Sequence, residues 1–141
     1  MNHIPDPSKP LISVAMNNHE EHNEQVMLMQ WWALSCRQWD IPEECLFAIP
    51  NGARTNIGAA VKLKAEGVRS GVPDLFLAYP NGDKHGLFIE MKKVKGGKVS
   101  ENQKKVIAML NKNGYYAVVA NGFEWARKAI VAYCAGDLRI C

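Results

Sequence analysis

Two apolar runs, Leu75-Phe76-Leu77-Ala78-Tyr79 and Gly86-Leu87-Phe88-Ile89-Glu90-Met91-Lys92, stand on either side of Pro80-Asn81-Gly82-Asp83. Strand-forming runs separated by turn residues predict a β-hairpin. A hairpin is marginal alone and needs other elements against its apolar face, so this feature constrains the fold most. The remainder supplies those elements. From about His19 to Trp39 the pattern is helical, with Val26, Met29 and Ala33 on one stripe and Leu28, Trp31 and Trp32 beside it. Trp31 and Trp32 cannot both point inward on one narrow stripe, so one of them is expected at an interface. Leu46 to Ile49 is a short strand ending at the turn signal Pro50-Asn51-Gly52. Asn56 is placed to cap a second helix through Ala59, Ala60, Leu63 and Ala65, which stops at Gly67. Ser100 caps a third, with Val106, Ile107 and Leu110 inward and Asn113-Gly114 at its end. Tyr115 to Ala120 is a strand, one of whose tyrosines faces the core, and Glu124 to Tyr133 a last helix. The order is α-β-α-β-β-α-β-α, an α/β fold with a mixed central β-sheet flanked by α-helices.

The chain has 141 residues, enough for one domain and for burial of about two-thirds of its unfolded surface. Apolar residues make up 48% and charged residues 22%, which excludes general disorder. No run approaches the roughly 20 apolar residues of a membrane span. The opening MNHIPDPSKP lacks the apolar core of a secretory signal, so the cytoplasm is the expected compartment. Residues 1–18, with three prolines, read as a flexible arm; residues 19–135 form the single domain and residues 136–141 a short tail. Cys36, Cys45, Cys134 and Cys141 show no C-x-x-C pair and no histidine at ligand spacing, so neither a zinc site nor a disulfide framework is expected. Cys36 and Cys134 fall in apolar helical patterns and read as reduced core or near-core residues.

Net charge is only +3, but its distribution is uneven. Residues 1–24 carry Asp6, Glu20, Glu21 and Glu24 against Lys9. From Lys84 to Lys105, seven lysines stand against Glu90 and Glu101. A local excess of that size suits a phosphate-facing strip, and equally a solvated lysine-rich face.

The hairpin holds what an apolar strand has least reason to hold. Asp74 opens one arm directly after Pro73, and Glu90 and Lys92 lie two apart on the other. The period of two puts Glu90 and Lys92 on one sheet face, roughly 7 Å apart along the strand, where Asp74 can meet Glu90 across the arms. Two adjacent buried carboxylates repel each other unless a cation compensates them. Hard oxygen donors favour Mg²⁺ or Mn²⁺. The alternative, a surface hairpin with an ordinary Glu–Lys pair, is opposed by the flanking Leu87, Phe88 and Ile89, which read as a buried strand.

Pro73-Asp74 followed by Glu90-Met91-Lys92 resembles the PD-(D/E)xK nuclease signature. The surrounding segments IPNG at 49–52, AAVKLKAEGVRSGVPDLFL at 59–77, HGLFIEMK at 85–92 and GGKVSENQ at 96–103 resemble the VRR-NUC family, the virus-type replication–repair nucleases. Glu21-His22, Gln25 and Trp32 upstream and the Gly114-Tyr115 pair extend the likeness over roughly residues 19 to 134. The resemblance implies a restriction-endonuclease-like core. It implies that Asp74 and Glu90 bind the metal, with the Met91 main-chain carbonyl as a further ligand, and that Lys92 is the catalytic lysine. It also implies an acid on the first helix: Glu21, which shares a helical face with Gln25, or Glu24. The alternative for Glu21 is a first-turn acid favoured by the helix dipole. Gln103 occupies the family's glutamine after the lysine loop, where it would meet the attacking water, a phosphate oxygen or the metal shell; otherwise it is an ordinary exposed helix residue.

The implied reaction is metal-dependent phosphodiester hydrolysis leaving a 5′-phosphate and a 3′-hydroxyl, with no organic cofactor. Arg54, Lys62, Lys64, Arg69, Lys93, Lys95 and Lys98 would bind the DNA backbone and not read base identity. Stand-alone members of the family resemble Holliday-junction resolvases acting as homodimers on branched DNA, and a phage or prophage source fits them. With no further module in the chain, that reading is expected here. A flap, end or nonspecific nuclease is the alternative within the class, and a non-catalytic DNA-binding module the alternative outside it.

Overall fold

The computed structural model describes residues 20–50 and 56–136. The expected arm, most of the expected tail, the Asn51-Gly52 turn and Arg54 lie outside the described residues. Helix α1 (Glu20–Ser35) runs on into a 3-10 turn, Cys36–Trp39, and a second 3-10 turn, Glu43–Cys45, leads into β1 (Leu46–Ala48). Then follow α2 (Ile57–Ala65), β2 (Leu75–Leu77), β3 (Leu87–Lys92), α3 (Glu101–Lys112), β4 (Tyr116–Asn121) and α4 (Phe123–Ala135). This is the predicted element order.

The sheet runs β1-β2-β3-β4. β1–β2 and β2–β3 are antiparallel, and β3–β4 is parallel, joined by α3 as parallel neighbours require. The hairpin register pairs Leu75 with Ile89 and Leu77 with Leu87. Alternation therefore sends Leu75, Leu77, Leu87, Ile89 and Met91 to one face, all buried. They pack with Leu28 and Trp32 of α1 and Ala126, Ile130 and Tyr133 of α4 in one core. The opposite face carries Phe76, Phe88, Glu90 and Lys92, with α3 packed chiefly over β4.

Two expectations for α1 are corrected. Its buried positions are Glu24, Leu28 and Trp32, a spacing of four that Cys36 continues. Val26, Met29 and Ala33 instead line a groove on the helix surface. Hydrophobicity around α1 is nearly uniform, so docking and not periodicity chose the inward stripe. The two tryptophans also both pack. Trp32 is fully buried and its Nε1 donates to the Glu43 carbonyl at 2.8 Å. Trp31 lies among Trp32, Trp39 and Phe123, with ring centroids 6.2 to 6.5 Å away. The 3-10 turn brings Trp39 back under the helix and supplies the partner that a straight helix would lack.

The predicted caps form. Asn56 Oδ1 accepts from Ala59 N–H at 2.7 Å, and Ser100 Oγ accepts from Gln103 N–H at 3.1 Å. Cys36, Cys45 and Cys134 are free thiols. No helix among the described residues is long and apolar enough to cross a membrane.

Candidate active site

The hairpin register decides where the acids meet. Beyond the Leu75–Ile89 pair, position 74 stands opposite position 90. There Asp74 uses its side chain in place of a strand acceptor: Oδ2 accepts from Met91 N–H at 2.7 Å. Its own carbonyl accepts from Ile49 N–H at 2.8 Å, which ties β1 to the same point. Pro73, fully buried, holds the approach to β2.

Glu90 is 4% exposed and Lys92 8% exposed. Lys92 Nζ lies 3.7 Å from Glu90 Oε1, as the shared face predicts. The same oxygen accepts from Gln103 Nε2 at 2.9 Å. Burial and then the charge of Asp74 push the Glu90 carboxyl up to about 8, against the attraction of Lys92. Burial also raises Asp74, outweighing the hydrogen bond from Met91. Glu21 pushes both carboxyls in the same direction through its charge. Two carboxyls so placed titrate as a pair, and a nearby cation would favour the ionised forms of both.

The donor chemistry fits a small hard cation. Mg²⁺ characteristically takes one or two carboxylates and keeps waters or phosphate oxygens in its other positions. Among the described residues, no three His, Cys, Asp or Glu side chains converge as a closed metal cage. Asp74 and Glu90 present two adjacent carboxyls, with Glu21 acting on them through charge.

Glu24 is held elsewhere. It is 8% exposed, and its Oε2 accepts from Phe123 N–H at 2.5 Å at the start of α4, so it caps that helix and does not join the acidic pair. Gln25 lines the groove on the surface of α1 beside His22 and Met29.

Gln103 does two things. Its Oε1 accepts from Ser100 N–H at 2.8 Å, completing a capping box, while its Nε2 holds Glu90. The capping half was visible as Ser-x-x-Gln; the grip on Glu90 was not.

These groups open on a cleft of about 560 Å³ whose walls include Lys64, Arg69 and Ser70. Of the predicted DNA-binding residues, Lys64 and Arg69 line this cleft. Lys62 is exposed on α2, Lys95 and Lys98 are exposed after β3, and Lys93 is half-buried; none of these four is in the cleft wall.

Sequence reasoning missed the residues that clamp the cleft. Gly71 has φ +88, and a Cβ there would stand 2.6 Å from the Asn102 carbonyl carbon and oxygen. The loop bearing Arg69 therefore presses directly on the start of α3, and Asn102 Nδ2 donates to Ser70 Oγ at 3.1 Å. At the far end of β3, Gly122 N–H donates to the Lys92 carbonyl at 2.8 Å. The Asn121-Gly122 pair between strand and helix was the available signal.

A mixed sheet flanked by helices, with Pro73-Asp74 on one hairpin arm and Glu90-x-Lys92 on the other, is the core of the restriction-endonuclease-like nucleases. The model of the VRR-NUC domain family matches residues 8–124. A solved structure described as a VRR_NUC domain protein is similar with a TM-score of 0.67 and 32% identity, over 80% of this chain and 86% of that one. No curated protein matches the chain. The chain belongs to the VRR-NUC family. It is a nuclease, hence a phosphodiesterase with DNA as its substrate, of a family that generally uses divalent metal ions.

Proposed function

We propose that this protein is a structure-selective DNA endonuclease that uses Mg²⁺ or Mn²⁺ and resolves four-way junctions as a homodimer. The observation that carries the catalytic part is the half-buried Asp74 beside the buried Glu90, with Lys92 Nζ 3.7 Å from Glu90 Oε1. Asp74 and Glu90, with the Met91 carbonyl, would hold the ion, and Glu21 would add its negative charge to theirs. Such an ion would supply Lewis acidity toward a phosphoryl oxygen and toward the attacking water.

Side chains in and beside the cleft do the rest. Lys92 supplies positive charge where negative charge develops on the phosphate and orients the attacking water. Gln103 keeps the Glu90 carboxylate aimed into the cleft through its 2.9 Å hydrogen bond. Lys64 and Arg69 in the cleft wall engage backbone phosphates without reading bases, and Arg54, Lys62, Lys93, Lys95 and Lys98 would extend that contact. Selectivity then follows DNA shape. A two-fold dimer presents two such clefts symmetrically, matching the paired cuts that a four-way junction requires.

Labelled four-way junction, flap and linear duplex, each incubated with Mg²⁺ or Mn²⁺ beside Glu90→Ala and Lys92→Ala, test the proposal. Paired symmetric nicks across the junction support it. Cutting confined to flaps or ends replaces the resolvase with a flap or end nuclease. Tight binding without metal-dependent cleavage by the wild-type protein leaves a DNA-binding module.

A further inference from the structure

Glu24 is a buried carboxylate that the proposed chemistry does not use, and its hydrogen-bond partner lies far away in the chain. Its Oε2 accepts from Phe123 N–H, 99 residues on. The segment it grips is the tight turn between β4 and α4, and that turn also holds the catalytic strand. Gly122 N–H donates to the Lys92 carbonyl at 2.8 Å, and Asn121 Nδ2 donates to the Lys93 carbonyl at 3.3 Å.

The turn is closely built around these contacts. Gly122 has φ +95, and a Cβ there would meet Val94 Cγ2 at 2.7 Å and Glu24 Oε2 at 3.5 Å. Glu24, Gly122 and the start of the lysine loop therefore share one small space. Glu24 also lies one turn after Glu21 on α1, and the charge of Glu21 reaches Asp74 and Glu90.

From this geometry we infer that Glu24 is a positioning residue: it pins the start of α1 to the β4–α4 turn whose Gly122 holds the Lys92 carbonyl, and so sets Glu21 against the Asp74–Glu90 pair. The inference rests on the proposed reading of Asp74 and Glu90 as metal ligands. The helix acid is thereby placed by a hydrogen bond from the last helix and not by α1 alone. An unsecured first helical turn frays, since its early N–H groups have no partner within the helix. A fraying turn would let Glu21 swing away from the cleft. Glu24→Gln keeps an oxygen for Phe123 N–H, whereas Glu24→Ala removes it.

The test measures Mn²⁺ affinity of the full chain by calorimetry, with single-turnover cleavage rate and melting temperature alongside. Outer residues that orient ligands typically change metal affinity by about 10- to 100-fold. Glu24→Ala is expected to weaken Mn²⁺ binding by about 10-fold, and Glu24→Gln to restore it to within about two-fold of wild type. Because Glu24 acts through Glu21, Glu24→Ala combined with Glu21→Ala is expected to bind Mn²⁺ no more weakly than Glu21→Ala alone. If Glu24→Ala does not fold, Glu24→Asp, which keeps the charge but shortens the reach by one methylene, serves in its place. A lowered melting temperature with unchanged Mn²⁺ affinity and rate would overturn the inference, as would losses that multiply in the double variant. Asp74→Ala is the separate control: wild-type Mn²⁺ affinity there overturns the metal-site reading itself.

Discussion

Gln103 Nε2 stands 2.9 Å from Glu90 Oε1 while Gln103 Oε1 receives Ser100 N–H at 2.8 Å. One side chain thus closes the cap of α3 and aims the central carboxylate of the cleft. Helix start and acid are mechanically linked, so displacement of either is felt by the other.

The two duties of Gln103 are separable. Gln103→Glu keeps the capping acceptor but replaces the donor to Glu90 with a third carboxyl, so cleavage should fall by about 10- to 100-fold with the helix cap retained. Gln103→Ala loses both contacts and should also lower stability by about 1 kcal/mol, the usual scale of a helix cap. Parallel denaturation curves and single-turnover rates distinguish the two outcomes.

The raised carboxyls predict a pH dependence in the metal-free protein. Glu90 titrates near 8 when folded against 4.5 ordinarily, so between those values the folded state holds a proton that the unfolded state has released. Stability should therefore be fully present below about pH 4.5, fall as pH rises, and level off above about 8, with a slope of at most about 1.4 kcal/mol per unit for one proton. The raised Asp74 acts in the same direction. Mg²⁺ or Mn²⁺ should flatten the fall, because an ion stabilises both ionised carboxylates. Urea titrations from pH 5 to 9, with metal and with chelator, measure it.

Glu90→Gln should separate activity from stability. The variant keeps an acceptor for Gln103 Nε2 but removes one of two like charges that repel each other. Metal-free Glu90→Gln is expected to be more stable than wild type at pH 8 while cleavage falls by about 10³-fold, as for loss of a group serving the transition state. A metal-free melting temperature at pH 8 equal to or below that of wild type contradicts the electrostatic account.

Gly71→Ala should destabilise the cleft wall. The added carbon would lie 2.6 Å from Asn102 backbone atoms at a φ of +88, combining overlap with a disfavoured conformation. A loss of about 2 kcal/mol is expected, read as a shift of the denaturation midpoint.

Lys64 and Arg69 should act on the salt dependence of binding. On the inactive Glu90→Gln background, replacing either with Ala is expected to reduce the slope of log affinity against log salt by about 0.9. Binding isotherms on four-way junction at several salt concentrations provide the slope.

What could be read from the chain was local. The hairpin, the shared face of Glu90 and Lys92, and the Asn56 and Ser100 caps follow from turn residues, a period of two and contacts within a few residues. The acidic pair was legible because strand pairing across a turn makes position 74 neighbour to position 90 once the turn is placed. The buried stripe of α1 was not legible. Its apolar residues are spread around the helix, and the inward face includes Glu24, whose partner Phe123 is 99 positions away. Trp31 could not be placed without the 3-10 turn that returns Trp39 to it. Gly71 and Gly122 announced turns but not what pressed on them.

By itself, then, the sequence determined the element order, the hairpin and the nearness of Asp74, Glu90 and Lys92, since those depend on backbone periodicity and short-range pairing. Only the tertiary structure decided that Glu24 serves α4, that Gln103 grips Glu90, and that Lys64 and Arg69 share the acids' cleft. Each of those assignments depends on which distant surfaces dock. Docking is a property of the whole core, settled jointly by many weak contacts, and no local pattern carries it.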